Sequence, residues 1–316
     1  MMQVFVFEYL SGGGLVDGDS EATAVLLPQG LAMRDALVAD LLASGDCDVT
    51  AATCARAGAL PAGAAEAVAH DGETMEAFAA RLAAQHDAAW IVAPETGGCL
   101  ADFEHAIGAP RWLGCDARSI AIASSKTATV RHLAAHDIPT PAAFAAGATR
   151  WVVKPDDGAG SVATHVHANR LGAEADLAGR DARGESACLE PWIAGEPLSL
   201  SLLCELGQAE LLSVNRQRIA TLPDGTLRYD GVEIDVLPRH SARWRTLAAL
   251  GGSVAAALPG LRGFVGVDIV ASERHGPVVI EINPRLTCAY VGLSRRLGRN
   301  LAREMLGLRG LEPSHV

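Results

Sequence analysis

The residues best placed to do chemistry lie near the C-terminus. Two apolar stretches, Gly263–Ala271 and Pro277–Ile282, flank a polar turn at 273–276. That pattern predicts an antiparallel hairpin. Pairing Ser272 with Pro277 sets Asp268 directly opposite Glu281, where Cβ atoms of facing residues lie roughly 4.5–5.5 Å apart. Asn283 follows Glu281 by two residues and therefore shares its face. Two carboxylates that close repel unless a cation sits between them. Hard oxygen ligands of this kind suit Mg²⁺, which commonly bridges carboxylates and nucleotide phosphates. The same pattern also fits the polar outer face of an edge hairpin. Asn283-Pro284-Arg285, directly after the strand, adds polar groups at the same end.

A second group is Lys154, at the end of an apolar run, followed by Asp156-Asp157-Gly158-Ala159-Gly160-Ser161. Small residues after a strand let backbone N–H groups approach phosphate oxygens, and Lys154 adds a point charge. The spacing is not that of a P-loop. Alone, Asp-Asp-Gly is also an ordinary hairpin turn. A third group is Glu190, Ile193 and Glu196 in Cys188–Glu196. An extended connector there could face an adenine edge, and a carboxylate just beyond it could accept ribose hydroxyls. Solvated surface charge is the plainer reading of the two glutamates.

These groups need elements to position them. The first third alternates strand and helix signals: a strand at Val4–Phe7, a helix near Leu26–Leu42, a strand near Asp48–Thr53, a helix near Met75–Gln85 and a strand at Trp90–Ala93. That alternation predicts a parallel sheet with covering helices, whose ligands bind at the carboxyl ends of strands. Glu8, Ser11, Gly12, Gly13 and Glu95 stand at such ends and are candidates to face substrate; tight βα turns explain them equally well. Gly12–Gly14 does not complete a dinucleotide fingerprint, because Asp17 takes the third glycine position. From Ser119 onward a helix over Ser124–Ala135 carries Lys126, and a connector with Pro139 and Pro141 follows. Strands then dominate (151–155, 187–192, 198–204, 209–215, 264–271, 277–282), interrupted by a helix near 241–257. The expected class is α/β (α+β), with domains at 1–118, 119–188 and 189–316.

Composition narrows the function. The chain has 316 residues, 49% hydrophobic and 20% charged, with a net charge of −11. An acidic globular chain of this kind is not expected to bind nucleic acid or an anionic membrane surface. No apolar run reaches the roughly 18–20 residues of a membrane span. The N-terminus lacks a basic leader and reads as a first strand, which points to a cytoplasmic protein. The seven cysteines are scattered, odd in number and never spaced Cys-x-x-Cys, so they are expected as free thiols. Of 26 basic residues only Lys126 and Lys154 are lysines. In a chain so rich in arginine, a retained lysine marks a place where a compact ammonium differs from a planar fork.

In order, these pieces resemble the ATP-grasp superfamily over roughly 120–290. The resemblance implies that Lys126 and Lys154 are the two nucleotide lysines and that Gly158, Gly160 and Ser161 belong to the phosphate loop. Glu190 and Ile193 match the adenine-side hinge, and Glu196 the ribose-binding acid. Asp268, Glu281 and Asn283 match the metal ligands, and Arg285 the arginine that steadies the reacting phosphate and acyl group. ATP is then the nucleotide, with one or two Mg²⁺ ions, or Mn²⁺ in their place. More narrowly, Phe7–Gly14, Ala93–Thr96, Asn215–Gln217 and Ile282–Thr287 look like the tyramine–glutamate ligase family of methanofuran and methylofuran biosynthesis. Cys288-Ala289-Tyr290 departs from the Thr-Ser-Tyr expected there, which leaves the substrate open.

The implied chemistry is ATP-dependent ligation of a small carboxylate to an amine through an acyl phosphate. Arg285 and Lys154 would be catalytic, and Arg216 or Arg218 would hold the glutamate carboxylates. The expected partners are small molecules, and a homodimer is compatible with this. Another amino-acid or dipeptide ligase, a kinase that releases its phosphorylated product, and a nucleotide-binding protein without turnover are the alternatives.

Overall fold

The structure, a computed structural model, describes residues 1–15, 20–158, 161–308 and 310. The elements in chain order are β1 (Met2–Glu8), α1 (Ser20–Ala43), β2 (Cys47–Ala52), β3 (Ala65–Ala67), α2 (Met75–Ala83), β4 (Ala88–Val92) and α3 (Cys99–Ile107). Next come α4 (Ala117–Ala123), α5 (Lys126–Ala134), β5 (Trp151–Pro155), β6 (His165–His167), α6 (Arg170–Ala182) and β7 (Ala187–Pro191). The remainder is β8 (Glu196–Glu205), β9 (Gln208–Thr221), β10 (Leu227–Glu233), α7 (Ala242–Ala257), β11 (Gly263–Ser272), β12 (Gly276–Asn283), α8 (Leu293–Leu297) and α9 (Leu301–Gly307).

The chain divides into two units. The first comprises Met1–Pro94, Cys99–Ala117 and Arg285–Val316; the second comprises Glu95–Gly98 and Arg118–Pro284. The segment expected as one domain over 189–316 is thus divided at Pro284, and its last part groups with the N-terminal residues.

In the first unit the order β3-β2-β1-β4 is all parallel, as the strand–helix alternation predicts. Val4, Phe5, Val6 and Phe7 are completely buried, consistent with a parallel strand covered on both faces. The helix expected from Leu26 begins earlier, at Ser20.

The second unit holds two antiparallel sheets. One is β6-β5-β7; the other is β10-β9-β8-β11-β12. Period-two alternation gives each strand two distinct faces. On β5, Trp151 and Val153 pack against Ala173 and Leu177 of α6, so Val152 and Lys154 point the other way. On β8, Leu198, Leu200 and Leu202 are buried on the face that α7 covers. A Cβ on Gly251 of α7 would stand 2.8 Å from Leu202 Cδ2, so helix and sheet approach this closely only at glycine.

Helix starts follow local chemistry. The side chains of Ser125, Asn169 and Ser241 accept the N–H of Ala128, Gly172 and Trp244 at the starts of α5, α6 and α7. None of the seven cysteines, all of which lie among the described residues, is in a disulfide. Among the described residues no helix is long and apolar enough to cross a membrane.

Candidate functional site

The hairpin β11–β12 brings Asp268 opposite Glu281, but by a different route from the expected register. Ser272 pairs with Gly276, not Pro277, and Ile269 pairs with Val279. An irregularity between Asp268 and Ile269 then inserts Ile280 and shifts the ladder by one, so Asp268 meets Glu281 and Gly266 meets Asn283. The bulge therefore creates the carboxylate pair. Asn283 Nδ2 lies 3.5 Å from Asp268 Oδ2.

The same face continues across the sheet. Asp268 pairs with Ser199, and Ser199 pairs with Asn215. Asn215 is completely buried. Its amide donates to Ser199 Oγ at 3.3 Å and Ser201 Oγ at 3.0 Å, and its carbonyl accepts from Ser213 Oγ at 3.0 Å. A satisfied polar floor thus lies beside the acids, and networks of this kind hold their members in one arrangement. The donor set of two carboxylates and an amide is all-oxygen and fits Mg²⁺ or Mn²⁺.

Lys126 approaches these acids from α5. Its Nζ is 3.5 Å from Glu281 Oε2 and also donates to the Gly158 carbonyl. Its own N–H bonds the Asp156 carbonyl at 2.9 Å. One lysine therefore links the glycine loop to the hairpin carboxylates.

Lys154 lies on the sheet face away from α6. Its Nζ is 2.7 Å from Glu190 Oε2, and both side chains are about 7% exposed. Burial pushes the ammonium pKa down, but the Glu190 carboxylate outweighs it, and the net shift is upward. Cys188, directly across the ladder, is pushed up to about 12 by burial, so its thiol stays protonated. The hinge acid Glu190 is thus an ion-pair partner of Lys154 in this structure, while Ile193 is a buried residue of the connector that follows.

The two aspartates after Lys154 are anchored where the chain enters the glycine loop. Asp156 accepts Ser125 Oγ at 2.5 Å, Thr127 N at 2.8 Å and Thr127 Oγ1 at 2.6 Å. Burial raises its pKa, but these hydrogen bonds outweigh that, and the net shift is downward. Asp157 accepts Gly97 N at 2.9 Å, and Thr96 Oγ1 donates to the Asp157 carbonyl at 3.2 Å. Gly158 follows, and Ser161 adopts φ +64°, unusual for a residue with a Cβ. Gly160 lies outside the described residues.

Glu196 begins β8 and is held by Arg216 Nε at 2.8 Å and by Arg243 Nη2. Burial raises its pKa, but the two guanidinium groups prevail and lower it. Arg216 also pairs with Glu233 at 3.1 Å. Its fork is therefore shared by two acids of the chain, Glu196 and Glu233.

In the first unit, Glu8 is 3% exposed. Its carboxylate accepts the Ser11 N–H at 2.8 Å and the Leu10 N–H at 3.2 Å, while Gly12 N bonds the Glu8 carbonyl at 2.8 Å. Burial raises the Glu8 pKa against these hydrogen bonds. A Cβ on Gly30 would stand 2.5 Å from Glu8 Oε2. Glu8, Ser11, Gly12 and Gly13 stand in a tight turn that the acid's own side chain holds. Glu95 is buried in the second unit, and Arg285 follows β12, its Nη1 donating to the Leu286 carbonyl at 3.3 Å.

Sequence reading missed Ser125, Thr127, Arg243 and the serines around Asn215. A serine before a helix is a legible cap signal. The cross-sheet polar row is not, because it depends on strand order.

The family model described as an ATP-grasp domain matches residues 123–289, and one described as a pre ATP-grasp 3 domain matches 47–120. No curated protein matches the chain. Among solved structures, an ATP-grasp superfamily protein from Archaeoglobus fulgidus is 24% identical, covering 100% of this chain and 90% of that one with a TM-score of 0.70. D-alanine–D-alanine ligase from Bacillus anthracis is 17% identical, covering 99% and 100%, with a TM-score of 0.67. L-amino acid ligase from Bacillus licheniformis is 15% identical, covering 99% and 75%, with a TM-score of 0.66. These likenesses show a common fold.

Proposed function

The chain belongs to the ATP-grasp family, and from that premise we propose that it is an ATP-dependent carboxylate–amine ligase. The observation that carries this reading is the opposed Asp268–Glu281 pair, with Asn283 alongside and Lys126 at 3.5 Å from Glu281. Asp268, Glu281 and Asn283 would hold Mg²⁺, which when bound supplies charge neutralisation for phosphate oxygens. Lys126 and Lys154 add fixed positive charge for the phosphates. Preorganised charge of this kind contributes most in phosphoryl transfer, where positioning and electrostatics carry the catalysis.

A substrate carboxylate oxygen attacks the γ-phosphorus, the bond to the β-phosphate bridging oxygen breaks, and ADP leaves. An amine nitrogen then attacks the acyl carbon of the resulting acyl phosphate. Phosphate departs with the bonding pair, the amine gives up its proton, and an amide remains. Arg285 would hold the oxyanion that develops at the acyl carbon. The loop at 157–161 would exclude water, which otherwise hydrolyses the acyl phosphate. Glu196 and Ile193 would serve the ribose and adenine ends of ATP, with Glu196 exchanging an arginine partner for hydroxyls.

For substrates we propose L-glutamate, through its γ-carboxylate, and tyramine or tyrosine. This rests on the sequence motifs at 7–14, 93–96, 215–217 and 282–287. It agrees with the names of two structural neighbours, both ligases of amino acids. The test is ADP release with ATP, Mg²⁺ and L-glutamate, alone and with tyramine, tyrosine and a panel of other amines, followed by mass spectrometry. A glutamyl amide whose formation needs both substrates is expected. ADP release at full rate with glutamate alone and a phosphorylated product would replace the ligase with a kinase.

A further inference from the structure

A second group of metal-ligating side chains lies in the three-stranded sheet. His165 and His167 sit two apart on the edge strand β6, and both share the face of Val153 and Trp151, their ladder partners. Their rings stack at 4.5 Å with planes 20° apart. Asp176, from the second turn of α6, reaches down to them, with Oδ2 2.9 Å from His167 Nε2. The three residues can present donor atoms all within 4.8 Å of one another, and all three are partly open to solvent.

The surroundings support ligation. The buried Arg180 donates from Nε to Asp176 Oδ1 at 3.0 Å and from Nη2 to Oδ2 at 3.5 Å, which orients the carboxylate with Oδ2 against His167 Nε2. Outer hydrogen bonds of this kind position metal ligands. A Cβ on Gly172 of α6 would stand 3.7 Å from His167 Nδ1, and one on Gly225, in the β9–β10 turn, 2.6 Å from His165 Nε2. Asp224, beside Gly225, carries a negative charge near His165.

We propose that His165, His167 and Asp176 form a site for a borderline-soft divalent metal, Zn²⁺ above all, separate from the oxygen-only set on β11–β12. Two imidazoles and one carboxylate suit Zn²⁺ and not Mg²⁺, which prefers oxygen and water ligands. Bonds of about 2.0–2.1 Å bring donor atoms to roughly 3.3 Å in a tetrahedral arrangement, so small ring rotations close the set. The site would also tie together three segments. β6 begins just beyond the glycine loop; Val166 N of β6 bonds Gly225 O of the β9–β10 hairpin, and Thr164 O, directly before β6, accepts from Leu227 N, both at 2.9 Å. A metal there stiffens the strand into which the glycine loop runs, whatever reaction that loop serves.

The test is Zn²⁺ titration of the chelator-stripped full chain by calorimetry in excess Mg²⁺, with Co²⁺ absorption in parallel. One equivalent of Zn²⁺ is expected, raising the melting temperature. Affinity should fall by at least about 100-fold in His167→Gln and in His165→Gln, and hold in Glu281→Ala. Co²⁺ should give d–d bands without thiolate charge transfer, a readout that needs no variant. No Zn²⁺ binding, binding retained by the folded double variant His165→Gln/His167→Gln, or a thiolate band in the Co²⁺ spectrum would each overturn the proposal. Any of these results would leave the ligase reading untouched.

Discussion

Replacing Lys154 with methionine tests the central electrostatic argument. The Lys154–Glu190 pair is 2.7 Å long, and each side chain is about 7% exposed. Methionine fills most of the lysine volume but strands the Glu190 carboxylate without its ammonium. Removing one member of a buried pair costs about 3–5 kcal/mol, mostly because the survivor keeps its desolvation penalty. Against a total stability of about 5–15 kcal/mol that is a large fraction. With a urea slope of about 2–3 kcal/mol per molar, the midpoint falls by about 1–2 M. The folded pKa of Lys154 is raised, so the pair's contribution is complete below the unfolded value of 10.5 and is lost only as pH rises through the folded value above it. A urea titration at neutral pH followed by far-UV circular dichroism therefore reads the whole effect. The double variant Lys154→Met/Glu190→Leu removes both charges and should recover most of the loss, giving a coupling energy of opposite sign to the single penalties. Lys154→Arg keeps the charge but puts a planar fork in place of the compact ammonium beside Glu190, and ATP affinity should fall at least about tenfold. A single-variant loss below about 1 kcal/mol, or a double variant as unstable as Lys154→Met, would refute the reasoning.

Glu281→Ala removes one hairpin acid and the carboxylate partner of Lys126; ADP release dependent on Mg²⁺ should fall by at least about 100-fold while circular dichroism stays native. Asp156→Ala removes three hydrogen bonds at the start of α5 and should lower stability by about 1–2 kcal/mol in a denaturant titration. Because the folded pKa of Asp156 is depressed, its contribution is present above the unfolded value of 3.8 and lost as pH falls through the lower folded value. The acid sensitivity of the wild-type chain below pH 3.8 should therefore be smaller in Asp156→Ala. Gly30→Ala sets a methyl group 2.5 Å from the buried Glu8 carboxylate, and overpacking should cost about 1–3 kcal/mol, read as a lower melting temperature despite alanine's better helix propensity.

Much of this protein is local and therefore legible in the sequence. The parallel sheet of the first unit follows from strand–helix alternation, and the helix read over Ser124–Ala135 stands at Lys126–Ala134. Asp268, Glu281 and Asn283 are close because a hairpin is a short-range structure. The strands β3, β6 and β10 and the helices α3, α4, α6, α8 and α9 are not legible in that pattern. β6 has only three residues, and β10 contains Asp230 and Gly231 and is largely exposed, so neither carries a strong period. The sequence by itself determined which residue types stand at which end of which strand, since alternation and turns act within a few residues. The tertiary structure alone decided the rest. The Ile280 bulge set the carboxylate register, and strand order placed Asn215 and Ser199 in line with Asp268. Side-chain reach put Lys126 on Glu281 and Lys154 on Glu190, and it gave Arg216 to Glu196 and Glu233. Those outcomes depend on ladder shifts and on partners up to about 150 residues apart, and no local preference encodes them.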